Sequence, residues 1–290
     1  MNKVTRLKYY IESLCIYDFE DDDVFSALYD LLCDDEEDTV ALQSCFFKEL
    51  AKSESLKRHI SRLILTNDNI FTKAACAGKV NELSIAVINA VKSDLAKLEE
   101  IASLTAQDIL ADIDDEDIKE ILLTLPGWEV GKPLAPLDSH WDRQLDELIK
   151  YHRENGYGIY AKNIAFTWRD EEITPVNSID PIRLTDLKNY ELQRNKVIDN
   201  TESFIAGHPA NNVLLYGDRG TGKSSTVHAI LNEYWQKGLR MIEIPKSAVA
   251  DLSLIREQIA DSPMKFIIYI DDLSFDSNDT SFSELKAALE

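Results

Sequence analysis

Leu214 to Thr226 reads LLYGDRGTGKSST. An apolar run leads directly into three glycines, a lysine and a series of hydroxyl residues, and Gly217 to Ser224 satisfy the pattern G-x-x-x-x-G-K-[ST]. Glycine admits backbone conformations that turn successive N–H groups inward around an anion. A helix that starts where the loop ends adds the positive end of its dipole. The stretch therefore concentrates backbone donors and one mobile cation where a triphosphate needs them. Gly217, Asp218, Arg219, Gly220, Thr221 and Gly222 are the expected cradle. Lys223 is expected on the β- and γ-phosphates, the Ser224 hydroxyl on Mg²⁺ and Ser225 on the α-phosphate. ATP and Mg²⁺ are the ligands this implies. The plainer alternative is a glycine-rich turn with no ligand.

Further along, FIIYIDD (Phe266 to Asp272) supplies a second half. An apolar strand ending in acid sets a carboxylate at the C-terminal edge of a sheet, beside the loop. Asp271 is expected to hold Mg²⁺ through water. Asp272, with Lys223, is the expected catalytic residue, orienting or deprotonating the attacking water. Otherwise the acid pair merely caps a strand.

Strand and helix alternate around these motifs. Strands are predicted at Val213 to Tyr216, Met241 to Ile244 and Phe266 to Ile270, the last fully apolar as buried parallel strands are. Helices are predicted at Ser224 to Lys237, ending at Gly238, and at Leu252 to Ala260. The order implies a parallel sheet with helical crossovers. Upstream, IAFTWR (Ile164 to Arg169) alternates like another strand, in which Trp168 is a packing residue rather than a base-stacking one.

The first part of the chain reads differently. Its first proline is Pro126 and its only earlier glycine is Gly78, so long helices are expected. Leu7, Ile11 and Leu14 form one helical stripe; Leu83, Val87, Ala90, Val91, Leu95 and Leu98 form a longer one. Thr105 to Asp108 resembles a capping box opening a helix through Ile109, Ile113 and Ile121. The clusters Asp21–Asp23 and Asp34–Asp38 lack the glycine of a calcium loop and read as solvated loops and helix N-termini. GWEVGKPLAPLDS, from Gly127, reads as a linker or an extended packing segment, with Ser139 capping the next helix. The fold class is thus α/β: an all-helical N-terminal domain (1–126), a linker helix and short strand (127–180), and an incomplete P-loop parallel sheet with flanking helices (181–290).

Composition narrows the partners. The net charge of −21 repels phosphate backbones and no Lys/Arg cluster stands out, so nucleic acid is disfavoured as a partner. Cys15, Cys33, Cys45 and Cys76 form no CxxC pair and read as reduced, mostly core thiols. No signal peptide opens the chain and no 18-residue apolar run crosses a membrane, which makes the cytosol the default location.

DPIRLTDL, FIAGHPANNVLLYGDRGTGKSS and IIYIDDLSF together resemble a bacterial family of AAA+ ATPases with no assigned biological role. The resemblance covers roughly Ile164 to Glu290 and implies an AAA+ core, ATP and Mg²⁺ binding, and assembly into a homo-oligomeric ring or partial ring. It also implies adenine contacts from Ile182 to Tyr190, with Leu187 and Tyr190 as candidates. Three departures stand out. Asp272 stands where most AAA+ proteins carry glutamate, which implies slow turnover. PKSAVADLS (Pro245 to Ser253) has neither the aromatic nor the glycine of a threading loop. No sensor residue, arginine finger or helical lid follows, so the sequence is expected to be a truncated piece that binds nucleotide and hydrolyses it poorly.

Three functions compete: an AAA+ ATPase acting on a protein partner through its helical N-terminal region, a P-loop switch or scaffold with little turnover, and a helicase-loader-like ATPase near DNA. A small-molecule kinase needs a lid of arginines, and Arg219 and Arg240 are isolated.

Overall fold

The computed structural model describes residues 1–34, 38–53, 55–176, 178–260 and 262–271. The chain divides into two compact units, Met1–His152 and Arg153–Glu290. The segment set apart by sequence as 127–180 is thus shared between them.

The first unit is helical. Its helices are α1 (Lys3–Glu12), α2 (Asp23–Cys33), α3 (Thr39–Leu50), α4 (Leu56–Leu65), α5 (Ile70–Ala77), α6 (Ile85–Ile101), α7 (Ala106–Leu110), α8 (Glu116–Leu122) and α9 (Leu145–Asn155), whose last turn crosses the division. The predicted stripes face one core: Leu7 of α1 and Val91, Leu95 and Leu98 of α6 are fully buried there. At Thr105 the capping box is present, its hydroxyl accepting from the Asp108 N–H and the Asp108 carboxylate accepting from the Thr105 N–H. The helix it opens is not continuous, however. It stops after Leu110, and Asp115 caps a new one by accepting from the N–H groups of Asp117 and Ile118. A strong N-cap restarts a helix more readily than it sits inside one. Nor does Ser139 cap a single helix. His140 has φ 55°, a 3₁₀ turn covers Trp141–Arg143, and α9 follows.

The stretch after Gly127 is an extended packing segment of this unit. The Leu56 and Lys57 N–H groups donate to the Glu129 and Val130 carbonyls, and the Trp128 indole donates to the Leu104 carbonyl. At Gly131 a Cβ would lie 2.1 Å from Ser55 Oγ, so this close pass requires glycine. The turn after α1 is held by Asp94. Its fully buried carboxylate accepts from the N–H groups of Cys15, Ile16 and Tyr17 at 2.9, 2.7 and 3.3 Å. Burial, aided by the Asp94 charge, pushes the Tyr17 phenol far above its ordinary range. Of the cysteines only Cys76 is buried, its thiol pushed up to about 12 by burial; Cys15 and Cys45 are exposed, which corrects the reading of mostly core thiols. They sit on the outward faces of their segments, where apolar character alone does not draw a residue inward.

The second unit carries α10 (Gly158–Lys162), β1 (Ala165–Arg169), β2 (Glu172–Pro175), α11 (Glu191–Ile205), α12 (Lys223–Tyr234), β3 (Leu239–Ile244), α13 (Leu252–Ile259) and β4 (Lys265–Ile270). The strands order as β2-β1-β3-β4. β1, β3 and β4 are mutually parallel, as helical crossovers require, and β2 returns antiparallel through a tight turn. Asp170 and Glu171 there have φ 52° and 62°, the primed-turn geometry that matches strand twist. Side chains alternate across the sheet. Phe166, Trp168, Ile242 and Ile244 pack on one face with Leu252 and Ile255 of α13; Ala165, Leu239 and Met241 pack on the other with Ile230 and Leu231 of α12. Trp168 is a packing residue, 4% exposed, with its indole donating to Asp251 at 2.9 Å. The buried Arg240 guanidinium donates to the carbonyls of Tyr160, Trp235, Leu239 and Asn155 and so serves the packing of this unit.

Two strand predictions need correction. Val213 to Tyr216 forms no strand. Its Val213, Leu214 and Tyr216 side chains are 49%, 72% and 88% exposed. A strand exists through its ladder, and both edges of β3 are already taken by β1 and β4. β4 itself was read as buried on both sides. It is an edge strand among the described residues and half-buried along its whole length.

In the first unit Asp22 both caps α2, accepting from the Phe25 N–H at 2.9 Å, and accepts from His59 Nε2 at 2.8 Å. His59 Nδ1 meets Ser53 Oγ at 2.8 Å. Burial pushes the Asp22 carboxyl up, but the His59 hydrogen bond, the Phe25 and Val24 N–H groups and the His59 charge outweigh it, and the net shift is downward. A carboxyl depressed in the folded state contributes stability that is present above its unfolded value of about 3.9 and lost as pH falls through the folded value. Asp22→Ala is expected to lower stability by about 1–2 kcal/mol at neutral pH, measured by urea unfolding, with the difference from wild type shrinking as the pH is taken below about 4.

Candidate functional site

The loop forms because its sequence allows turns that other residues resist. Gly217, Gly220 and Gly222 have φ 140°, 78° and 80°. At Gly220 and Gly222 a Cβ would meet nothing within 4 Å, so conformation and not crowding demands glycine there. Gly222 is the residue before α12, and the helix begins at Lys223, one residue earlier than the sequence suggests. The first-turn N–H groups of α12 thus open onto the loop.

Polar side chains hold the loop's shape. Lys223 Nζ donates to the carbonyls of Gly217 at 2.9 Å and Asp218 at 2.8 Å, so the cation lies across the loop's own mouth. Thr221 Oγ1 donates to the Asp218 carbonyl and Thr226 Oγ1 to that of Gly222, both at 2.8 Å. Asp218, Arg219 and Gly220 are exposed, and Ser225 is half-buried on the first turn of α12.

The two motifs meet. Ser224 Oγ donates to the Asp271 carboxylate at 3.2 and 3.3 Å. Ser224 comes from the first turn of α12, and Asp271 follows the last residue of β4, at the C-terminal edge of the parallel strands. Side-chain alternation sends Ile267, Tyr269 and Asp271 to the face of β4 that α12 covers. A hydroxyl and a carboxylate brought together are hard oxygen donors of the kind that suit Mg²⁺. Asp272 lies outside the described residues.

Tyr269 completes this corner, and sequence reasoning passed over it. Its ring meets the His228 ring edge-on, 6.2 Å between centroids at 78°. Burial pushes its phenol up, a hydrogen bond with Ser224 pulls it down, and a hydrogen bond with Asp271 and that residue's charge push it up again, to about 12. The period-two spacing of Tyr269 from Asp271 and the helical spacing of Ser224 from His228 were the signals that pointed to it.

The proposed adenine contacts lie in the approach to α11. Leu187 is half-buried, and its carbonyl accepts from Arg194 Nη1 at 2.7 Å. Tyr190 is 57% exposed with φ 55°. The same approach is tied to α12 through Asn232, whose amide donates to the carbonyls of Asp180 and Ile182. Among the described residues no group of three or more His, Cys, Asp or Glu side chains gathers as a metal site, and no helix is long and apolar enough to cross a membrane.

Residues 161–290 match a protein family described as "Protein of unknown function (DUF815)". The match takes in the loop, α12, β4 and Asp271. No curated protein matches the chain, and no solved structure does.

The approach to the loop is fastened at one point. The Asn200 side chain accepts from the Asn211 N–H at 2.8 Å and donates to the Asn211 carbonyl at 2.9 Å, imitating a strand pair. Asn200→Ala is expected to speed hydrogen exchange at the Asn211 amide about fivefold, the loss of one ordinary hydrogen bond, with exchange in β3 unchanged. Exchange measured by NMR or mass spectrometry checks this.

Proposed function

We propose that the second unit binds ATP with Mg²⁺ as a P-loop ATPase of the AAA+ type, and that the protein couples binding and hydrolysis to the remodelling or regulation of a protein partner. One observation carries the reading: Ser224, at the start of the helix behind a glycine loop, lies 3.2 Å from Asp271, at the end of a parallel strand. A glycine turn without a ligand has no need of that second partner.

The roles follow from the chemistry. The N–H groups of the loop and of the first turn of α12 receive the phosphate oxygens. Lys223 exchanges its two carbonyl contacts for the β- and γ-phosphates, a charge-assisted gain over neutral acceptors. Bound Mg²⁺ neutralises charge developing on the phosphoryl oxygens. Ser224 and Asp271 would hold it, directly or through water. Asp272 is proposed to orient the attacking water. The helical first unit is the proposed docking region for the partner, and a homo-oligomer in the cytosol is the proposed working form.

Lys223→Ala is expected to weaken ATP binding at least tenfold, the loss of one charge-assisted contact or more, as read by titration calorimetry. Unchanged affinity would remove the nucleotide reading. Asp272→Ala is expected to keep binding and lose phosphate release in a steady-state assay. A wild-type chain that binds and never turns over identifies a nucleotide switch in place of an ATPase.

A further inference from the structure

The first unit carries an apolar face that its own core leaves uncovered. α6 is buried from Val91 onward, yet none of its opening residues IAVINA, 85–90, is buried. Ile85 is 80% exposed. Ile85, Ile88, Asn89 and Lys92 stand at i, i+3, i+4 and i+7 and so share one face of the helix. That face forms one side of an open groove of about 530 Å³, closed by Val80 and Leu83 around the 3₁₀ turn Val80–Glu82 and by Leu145 at the start of α9. Val80, Leu83 and Leu145 are half-buried and rest on the core, so the groove is formed in advance.

Its polar lining is sparse. Lys92 is the only charged residue in the groove, and its ammonium group has no ion pair or hydrogen bond among the described residues. The Asn81 and Asn89 amides are exposed at the rim.

We infer that this groove docks one amphipathic helix of a protein partner, with apolar residues at helical spacing over Ile85 and Ile88 and one carboxylate set against Lys92. The inference rests on the reading of the first unit as the docking region. Side chains on α6 repeat every three to four residues, and a second helix with the same repeat interdigitates with them. An extended peptide needs a row of backbone partners, and the groove offers two side-chain amides instead. Ile85 and Lys92 are seven residues apart, about 10 Å along the axis, so two turns of the partner span the contact. The net charge of −21 repels a strongly acidic partner. A single carboxylate facing Lys92, on a helix otherwise neutral or basic, is the complement that charge allows.

A phage-displayed library of helical peptides of about 15 residues is panned on the whole chain, without nucleotide. Recovered peptides are labelled with fluorescein and titrated by fluorescence anisotropy. They are expected to carry apolar residues at i and i+3 or i+4 and an acid at i+7 or i+8. Ile85→Asp, at a position too exposed to serve the fold, is expected to weaken them at least tenfold, as for a lost apolar anchor. Lys92→Glu is expected to weaken them about fivefold, the scale of an exposed ion pair. A peptide whose acid is changed to lysine is expected to recover that loss on the Lys92→Glu chain. Peptides that bind equally well to both variants overturn the groove and leave the docking reading standing. Peptides weakened by Ile85→Asp but indifferent to the charge exchange overturn the stated partner chemistry. A chain that sediments as a dimer, dissociated by Ile85→Asp, assigns the face to a second copy and overturns the inference. A selection that recovers no peptide removes the groove and the docking reading together, while ATP binding is judged separately by Lys223→Ala.

Discussion

The contact between Ser224 Oγ and the Asp271 carboxylate joins the start of a helix to the end of a strand. Loop and strand edge are distant in sequence, and each is unremarkable alone. Glycine turns occur widely, and strands often end in acid. Their meeting requires that α12 lie along one face of the sheet with its N-terminus at the strands' C-terminal edge. That placement follows from the burial of Ile230, Leu231 and Tyr234 against Leu239 and Met241. Hydrophobic packing thus sets the helix, and the helix sets the hydroxyl.

The opposite face of the sheet makes the complementary contribution. There Ile242 and Ile244 are buried with α13, so β3 is fixed from both sides. β4 takes its register from β3 through six residue pairs, which places Asp271 one step beyond Ile270 with no slack. In a strand a slip of one residue would turn the carboxylate to the wrong face. Register is therefore the quantity that decides whether this acid can meet the loop.

Much of this was legible in the sequence, for identifiable reasons. The stripe through Val91, Leu95 and Leu98 and the strands around Phe166, Met241 and Ile268 report burial, and burial is what periodicity encodes. The meeting of Ser224 with Asp271 could be anticipated because a glycine loop before a helix and an acid after an apolar strand each fix residue type and spacing together. What remained hidden depends on pairing. Val213 to Tyr216 has strand-like residues, but whether a ladder awaits it is a property of the sheet. The edge position of β4 is hidden for the same reason, since FIIYI reads alike at an edge and in a centre. The turns at Ala111 and His140 also escaped, because a strong cap such as Asp115 interrupts a helix that apolar periodicity alone would continue. Tyr269 was passed over because an apolar strand does not reveal which of its members lies beside His228 of α12.

Among the described residues, β4 and the 213–216 segment leave backbone amides and carbonyls without ladder partners in the same unit, and such rows recruit matching rows from other molecules. Lys265 guards only the beginning of β4. The larger safeguard is long-ranged: a net charge of −21 makes each copy repel the next before their edges come close. Salt weakens that repulsion over a screening distance of about 10 Å at 0.1 M. Colloidal behaviour is thereby written into the acidic balance of the chain, and a dilute low-salt buffer is the medium in which these molecules stay apart.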